Sequence, residues 1–440
     1  MELSSSQQEF LTHCEEIKRI AFSFRHPLIV HHHDADGITS GAIAAYALRN
    51  ANKEYDLKCI KTLNDAAIEE LQKEKEIIFT DLGSGNERVN ELNDVVIIDH
   101  HQPAKIEKPQ ANCMAFGMDG GTEASSSTTA YLVFRQLVEV GVTGAVGDLQ
   151  TPFTSLNRYM VGEGAENGRI KIENDLCFYG RFSRPLIPFL LYGDAVYIPG
   201  LSYREDRIAE FLNDLGIPLR QGDRWRTYSD LAPEEKRRLI SALADLLLSA
   251  QRIRHVSQLI RESYIFPAHE RNETYEANEF STLLNACGRN GRADIGVRVC
   301  WGDRSAYTEA SELLQLHRKN LREGIAYAQL HIQDFGPFYF LDARDAVSET
   351  IIGIVCGMWL RSTEPKPIFG ISRSDNNTLK VSGRAPGSLI REGINIGLLL
   401  RAAASACGGV GGGHKAAGGA TIPQEKLNEF LLAVGERLKN

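Results

Sequence analysis

Residues 27–50 read PLIVHHHDADGITSGAIAAYALRN, and this stretch decides the fold. Pro27 to His33 is a short, apolar, β-branched run of the kind that forms a buried strand. It breaks at once into His32-His33-Asp34-Ala35-Asp36-Gly37, and Thr39 to Asn50 then carries an alanine-rich helical composition. Two more runs have the same form, Glu76 to Asp81 (EIIFTD) and Asp94 to Asp99 (DVVIID), with a helical segment from Asp65 to Lys75 before them. Strand–helix alternation at this spacing implies βαβ units and a parallel sheet. Such sheets bind ligands outside the carboxyl ends of their strands. All three runs end in Asp or His, so the chemistry is expected on that edge.

The rest of the chain sets the frame. Its 440 residues exceed one ordinary core, which predicts two to three domains. With 43% hydrophobic and 24% charged residues it is globular, which excludes a disordered tail, a collagen and a disulfide scaffold. The eight cysteines form no C-x-x-C pair, so no zinc ribbon or redox pair is expected. No eighteen apolar residues run uninterrupted and the N-terminus is polar, so the expectation is a reduced, cytoplasmic protein without a membrane span. Residues 201–265 are charged and rich in Leu and Arg, as connecting helices are. From about residue 336 onward β-rich runs return (PFYFLDA, KPIFGISR, TLKVSGR) with one helix (INIGLLLRAAASA). The expected division is an α/β N-terminal domain over 1–200, a helical connector and middle segment over 201–335, and a smaller α/β domain over 336–440.

Four elements of the first third stand out together: HHDADG, Asp81 in FTDLG, Asp99-His100-His101, and Asp148 in GAVGD. One Asp at a strand end most often caps the next helix. Several carboxylates gathered on one sheet edge repel each other and are costly to desolvate, so such a cluster holds cations. Carboxylate oxygens with a minority of imidazole suit two divalent ions, Mn²⁺ better than Mg²⁺. Two ions held about 3.5–4 Å apart acidify a bridging water and neutralise charge on a pentacoordinate phosphorus. Phosphoester hydrolysis is the reaction this set serves best.

IIDHHQP, preceded by HHDADGITS and FTDLG and followed by GAVGD, resembles the four-motif signature of the DHH phosphoesterase family. The resemblance implies that Asp36, Asp81, His100 and Asp148 hold one metal, and that Asp34 and Asp81 hold the other, with Asp81 as the bridge. It implies His101 at the substrate phosphate and Asp99 orienting His100 from behind. Many relatives place a leading His four residues before the first Asp, where this chain has Val30. His32 or His33 must serve instead; strand alternation puts His32 on the same side as Asp34 and favours it.

Ser382-Gly383-Arg384 and the run Gly411-Gly412-Gly413-His414-Lys415-Ala-Ala-Gly-Gly419 resemble the DHH-associated C-terminal domain of RecJ-like proteins. Glycines let backbone N–H groups approach phosphate, while Arg384, His414 and Lys415 supply charged donors. FSTLLNACGRNGR resembles the segment between the RecJ lobes and offers Asn285 and Arg289 as substrate-facing candidates. Together the phrases are most similar to archaeal RecJ-like proteins, including GINS-associated nucleases. The implied function is a metal-dependent exonuclease on single-stranded DNA or RNA, with DNA and 5′→3′ polarity favoured, in replication or repair. Alternatives are a replisome scaffold bound to GINS and the replicative helicase, or an oligoribonuclease or cyclic-dinucleotide phosphodiesterase.

The formal charge of −8 argues against a nucleic-acid partner only until it is divided. Residues 1–150 hold 13 Lys+Arg and 23 Asp+Glu, whereas residues 351–440 hold 11 and 6. The acid is concentrated where cations are expected, and the base where phosphates are.

Overall fold

The computed structural model describes residues 3–193, 196–360, 365–374 and 377–439. It divides into two compact units, one running up to Leu314 and one from Gln315.

The first unit opens with α1 (Ser5–Ser23), started by a capping box between Ser4 and Gln7. There follow β1 (Leu28–His32), α2 (Ala35–Asn50), β2 (Asp56–Ile60), α3 (Asp65–Leu71), β3 (Glu76–Thr80), β4 (Asp94–Ile98) and β5 (Gln110–Ala111). These strands form one parallel sheet in the order β2-β1-β3-β4-β5. The three expected strands are present and buried; β2, half exposed at the sheet edge, is the addition. The order reverses between β1 and β3, the switch point where open α/β sheets form their ligand crevice. The HHDAD segment follows β1 and Asp81 follows β3, so both border that crevice.

α4 (Ser126–Phe134), α5 (Val138–Gly147) and α6 (Ser155–Glu166) complete this half of the unit. α2 is buried from Ala35 to Ala45 and packs on β1, α4 and α5. That is why its sequence has no polar face.

The segment read as connecting helices is instead a small domain inserted between two paired strands, β6 (Lys171–Leu176) and a second at Ile260–Ile265. Between them lie α7 (Leu186–Leu191), α8 (Glu205–Asp214), the hairpin of β7 (Arg220–Gln221) and β8 (Arg224–Trp225), α9 (Pro233–Ser249) and α10 (Ile253–Val256). They share a core of their own around Phe189, Ile208, Tyr228, Leu239 and Leu243. The second paired strand is β9; after it α11 (Ala277–Arg289) and α12 (Ala293–Cys300) return to the N-terminal core through Phe280, Leu283, Leu284 and Ile295. The middle region is therefore shared between two cores, and the division between units falls within α13 (Arg304–His331), at neither 200 nor 335.

The second unit carries β10 (Gln333–Asp334), β11 (Tyr339–Asp342), α14 (Ile352–Leu360), β12 (Ile368–Arg373), β13 (Thr378–Arg384), α15 (Gly387–Arg391), α16 (Ile396–Ala406), β14 (Val410–Gly413), β15 (Ala417–Pro423) and α17 (Leu427–Lys439). Its sheet is mixed, in the order β10-β11-β12-β13-β15-β14, with only β11 and β12 parallel. One face is covered by α16 and α17 through Leu400, Ala403 and Phe430, the other by α14 through Ile352 and Val355. The chain is thus α/β in both units, as expected. Among the described residues, no helix is long and apolar enough to cross a membrane.

Candidate metal centre

The strand ends deliver the predicted cluster. Asp34 is the N-cap of α2 and its Oδ1 accepts from Gly37 N at 3.0 Å. Asp36 lies in the first turn of α2, buried, and its carboxylate accepts from Ser126 N (2.8 Å) and Ser127 N (3.0 Å) at the start of α4. Asp81 leaves β3 in the left-handed region, φ +62°, and accepts from Ser126 Oγ at 2.9 Å. Asp148 caps the C-terminal end of α5 and is held by Gln150 Nε2 at 2.7 Å.

Candidate ligand atoms fall into overlapping groups, each within 4.8 Å: His32–Asp34–Asp81, Asp36–His100–Asp148, and Asp81 with Asp99, His100 and His101. Asp81 belongs to two of them, the place given to the bridge. Of the two histidines left open, the structure brings His32 into the cluster, with Nδ1 3.0 Å from Asp34 Oδ2 and 3.3 Å from Asp81 Oδ2. His33 stands behind it, its Nδ1 2.9 Å from His32 Nε2.

His100 is oriented differently from the expectation. Its Nδ1 donates to the carbonyl of Gly120 at 2.6 Å, which leaves Nε2 facing Asp81 Oδ1 (3.4 Å) and Asp36 Oδ2 (3.9 Å). A carbonyl behind a ligating imidazole fixes the tautomer as a carboxylate would. Asp99 instead accepts from the backbone of Ser84, His100 and His101, and from His101 Nδ1 at 2.7 Å. Its ring partner is therefore His101, whose side chain is half exposed and keeps Nε2 free.

The electrostatics are those of a cation site. Burial, then the charges of Asp81 and Asp148, pushes the Asp36 carboxyl up to about 7. Burial also raises Asp148. For His32 burial opposes charge, but Asp34 and Asp81 outweigh it and lift the imidazole to about 11. His100 is raised in the same way by Asp81, Asp36 and Asp148. The bond to Asp99 raises His101, while His32 and His101 hold Asp34 and Asp99 well below the usual range despite burial. Protonated imidazoles thus balance the carboxylates; a divalent ion held by the same groups would supply that positive charge in their place. Hard oxygens with imidazole nitrogen suit such an ion. So does His32 Nδ1, buried beside two carboxylate oxygens without making a hydrogen bond.

Other predicted residues have different surroundings. Asn285 Oδ1 accepts from Ala35 N at 3.0 Å, so this side chain ties α11 to the head of α2. A Cβ on Gly288 would lie 1.6 Å from the His33 carbonyl oxygen, which brings the same helix close against the loop. Arg289, at its end, is half-buried, and burial lowers its pKa. In the second unit Ser382 is buried, and Arg384 folds back with Nη1 donating to Gly383 O at 2.8 Å. Gly412 and Gly413 lie in β14, while His414 and Lys415 are exposed in the turn to β15. The carbonyls of His414 and Lys415 accept from Gly397 N and Ile396 N, at 3.0 Å each, and Asn395 Oδ1 takes Leu398 N. The start of α16 is therefore satisfied by this loop.

Sequence reasoning missed Ser126, Ser127, Gly120 and Gln150. The first two were marked by Ser125-Ser-Ser-Thr-Thr129 before an apolar run, a helix-start signal.

Residues 27–148 match the N-terminal domain of the DHH family, residues 178–260 the DHH-CID domain and residues 325–440 the DHHA1 domain. With these three in order along it, the chain belongs to the DHH family, and its fold is RecJ-like. It is 28% identical to an uncharacterised protein of Methanocaldococcus jannaschii, over 96% of this chain and 97% of that one. Among solved structures it is similar to CDC45 from Entamoeba histolytica, with a TM-score of 0.66, 12% identity and 99% of each chain covered. It is also similar to an exonuclease RecJ bound to manganese, with a TM-score of 0.58, 15% identity, and 100% of this chain and 96% of that one covered.

Proposed function

We propose that this protein is a two-metal phosphodiesterase that degrades single-stranded nucleic acid from an end, with DNA and 5′→3′ polarity favoured, in replication or repair. The observation that carries the reading is Asp81 shared between two groups of carboxylates and imidazoles. Asp36, Asp81, His100 and Asp148 would hold one divalent ion, and His32, Asp34 and Asp81 the other, with Mn²⁺ preferred and Mg²⁺ an alternative. Such a pair supplies an acidified water and neutralises charge at phosphorus. His101, half exposed and backed by Asp99, is the residue free to face the phosphate and stabilise or protonate it. His414, Lys415, Ser382, Arg384, Asn285 and Arg289 are proposed to bind or position the strand. The manganese-bound RecJ neighbour supports the choice of ion.

The test is digestion of single-stranded DNA, RNA and a dinucleotide, labelled at either end, with Mn²⁺ and with Asp36→Ala as control. Hydrolysis of the strands that disappears in Asp36→Ala while strand binding persists is the expected result. Full activity in that variant would sink the site, and a strong preference for the dinucleotide would move the protein to the small-substrate class.

The CDC45-like fold, matched along both chains, supports a second reading, a replisome subunit bound to GINS and helicase. The full carboxylate set favours an enzyme, and the two roles are compatible. Co-purification with GINS in an Asp36→Ala background would separate binding from catalysis.

A further inference from the structure

At the C-terminal end of α5 the chain makes the turn that glycine ordinarily makes, and it makes it with a leucine. Leu149 N donates to Val146 O (3.0 Å) and Gln150 N donates to Ala145 O (3.2 Å), the paired bonds of a helix-ending Schellman turn. In that turn the residue after the cap is left-handed; here it is Leu149, at φ +59°. A Cβ makes this conformation unfavourable, which is why the position favours glycine. Leu137, also left-handed, packs against the core and so has a burial to offset its strain. Leu149 has none. It is 86% exposed, more than any other large apolar side chain among the described residues.

Its neighbours explain where it points. Asp148 before it belongs to the Asp36–His100–Asp148 group. Gln150 after it is buried, donating to Asp148 Oδ2 (2.7 Å) and to the Gly120 carbonyl that orients His100 (2.8 Å). The backbone is thus pinned on both sides by the metal centre, and an apolar side chain stands in solvent at its open rim. His101, Asp34 and Asp148 are, in that order, the most exposed side chains of the cluster, at 52%, 40% and 31%, so the centre opens to solvent on the side of Asp148, next to Leu149 in the chain.

We propose that Leu149 is a specificity-determining residue that packs against the base of the nucleotide whose phosphate lies at the metals. This rests on the nuclease reading above. An aliphatic side chain offers no hydrogen bond, so the contact is tolerant of sequence and reads only that a base is there. It therefore selects nucleotides over other phosphoesters and holds the strand end in register.

The experiment measures KM and kcat with Mn²⁺ for wild type, Leu149→Ala and Leu149→Gly, on a short single strand and on the same strand with an abasic unit at the degraded end. Loss of an apolar contact of this size is expected to raise KM about tenfold in both variants, with kcat nearly unchanged. Leu149→Gly should also melt above wild type, because glycine removes the left-handed strain, so its weaker binding cannot come from unfolding. On the abasic strand wild type should show the same loss and the variants no further one. Unchanged KM in both variants, an equal penalty on intact and abasic strands, or a fall in Mn²⁺ affinity in place of the KM effect would each overturn the proposal. Wild type that hydrolyses no single strand would overturn the nuclease reading along with it.

Discussion

Gly120 is the position where one added carbon reports most directly on the candidate metal centre. A Cβ built there lies 1.9 Å from the backbone carbonyl oxygen of His100, where real Cβ atoms essentially never come closer than 3.0 Å. Gly120→Ala must therefore push two backbone segments apart by about an ångström. The same two residues are joined by His100 Nδ1 donating to Gly120 O at 2.6 Å, so the separation that relieves the clash breaks this bond. A buried imidazole N–H is then left without its acceptor, at a cost of about 1–3 kcal/mol. The ring also loses what fixes its tautomer, and loss of such an outer partner lowers metal affinity about 10–100-fold, or about 1.4–2.7 kcal/mol.

Calorimetric titration with Mn²⁺ measures this directly. Gly121→Ala is the control, since a Cβ there meets only the end of the Asp119 side chain, at 3.3 Å. The expected result is a weakened site in Gly120→Ala and a normal one in Gly121→Ala. Wild-type Mn²⁺ affinity and melting temperature in Gly120→Ala would refute the assignment of His100 Nε2 as a ligand held by the Gly120 carbonyl.

Three further outcomes follow from the same structure. Glu279 is fully buried, and burial followed by the charge of Glu276 pushes its carboxyl from 4.5 up to about 7. The folded state thus binds the proton more tightly than the unfolded one, so stability is complete below about pH 4.5 and is lost as pH rises through 7, by up to about 3 kcal/mol. Urea unfolding of Glu279→Gln should show a gain at pH 8 that vanishes near pH 4.5, and an equal effect at both would contradict it. Asn285→Ala removes the acceptor of the buried Ala35 N–H and should cost about 1–3 kcal/mol, together with some Mn²⁺ affinity, read by melting with and without the ion. Lys415→Ala should weaken single-strand binding while leaving Mn²⁺ binding unchanged. It should also shallow the slope of log affinity against log salt by about 0.7 if Lys415 meets one phosphate; an unchanged slope would remove Lys415 from the interface.

What could be read in the sequence follows from burial. Residues 77–79 and 95–98 are covered on both faces and so are apolar throughout, the one pattern that announces a parallel strand unaided. β2 (DLKCI) belongs to the same sheet but lies half exposed at its edge, where no continuous apolar run is required. β6 (KIENDL) and β9 (IRESYI) are charged because they pair mainly with each other, and their pairing spans a domain of some eighty residues that no local pattern reveals. The candidate metal ligands were legible for a different reason. Carboxylates at three strand ends have no structural explanation together, whereas the residues around them act through backbone atoms (Gly120, Ser126 and Ser127) or through one ordinary hydroxyl (Ser126 Oγ on Asp81), and leave little mark in the sequence.

The glycine run shows how one composition serves two ends. Seven glycines between 408 and 419 suggested a phosphate-approaching loop, yet strands are ordinarily poor in glycine and the run forms two of them. The reason is α16. A Cβ on Gly411 would lie 2.7 Å from Leu400 O, and one on Gly397 would lie 2.1 Å from Gly413 O, so helix and hairpin meet backbone to backbone. That closeness lets the carbonyls of His414 and Lys415 take the first N–H groups of α16. An anion arriving at this loop therefore finds the helix start already satisfied, and must be recognised by what remains outward. Those groups include the exposed side chains of His414 and Lys415, and Arg401 of α16, whose guanidinium lies beside Gly412. Phosphate binding here then depends on side chains and not on a helix terminus, which is why removing Lys415 is the sharper test of this unit.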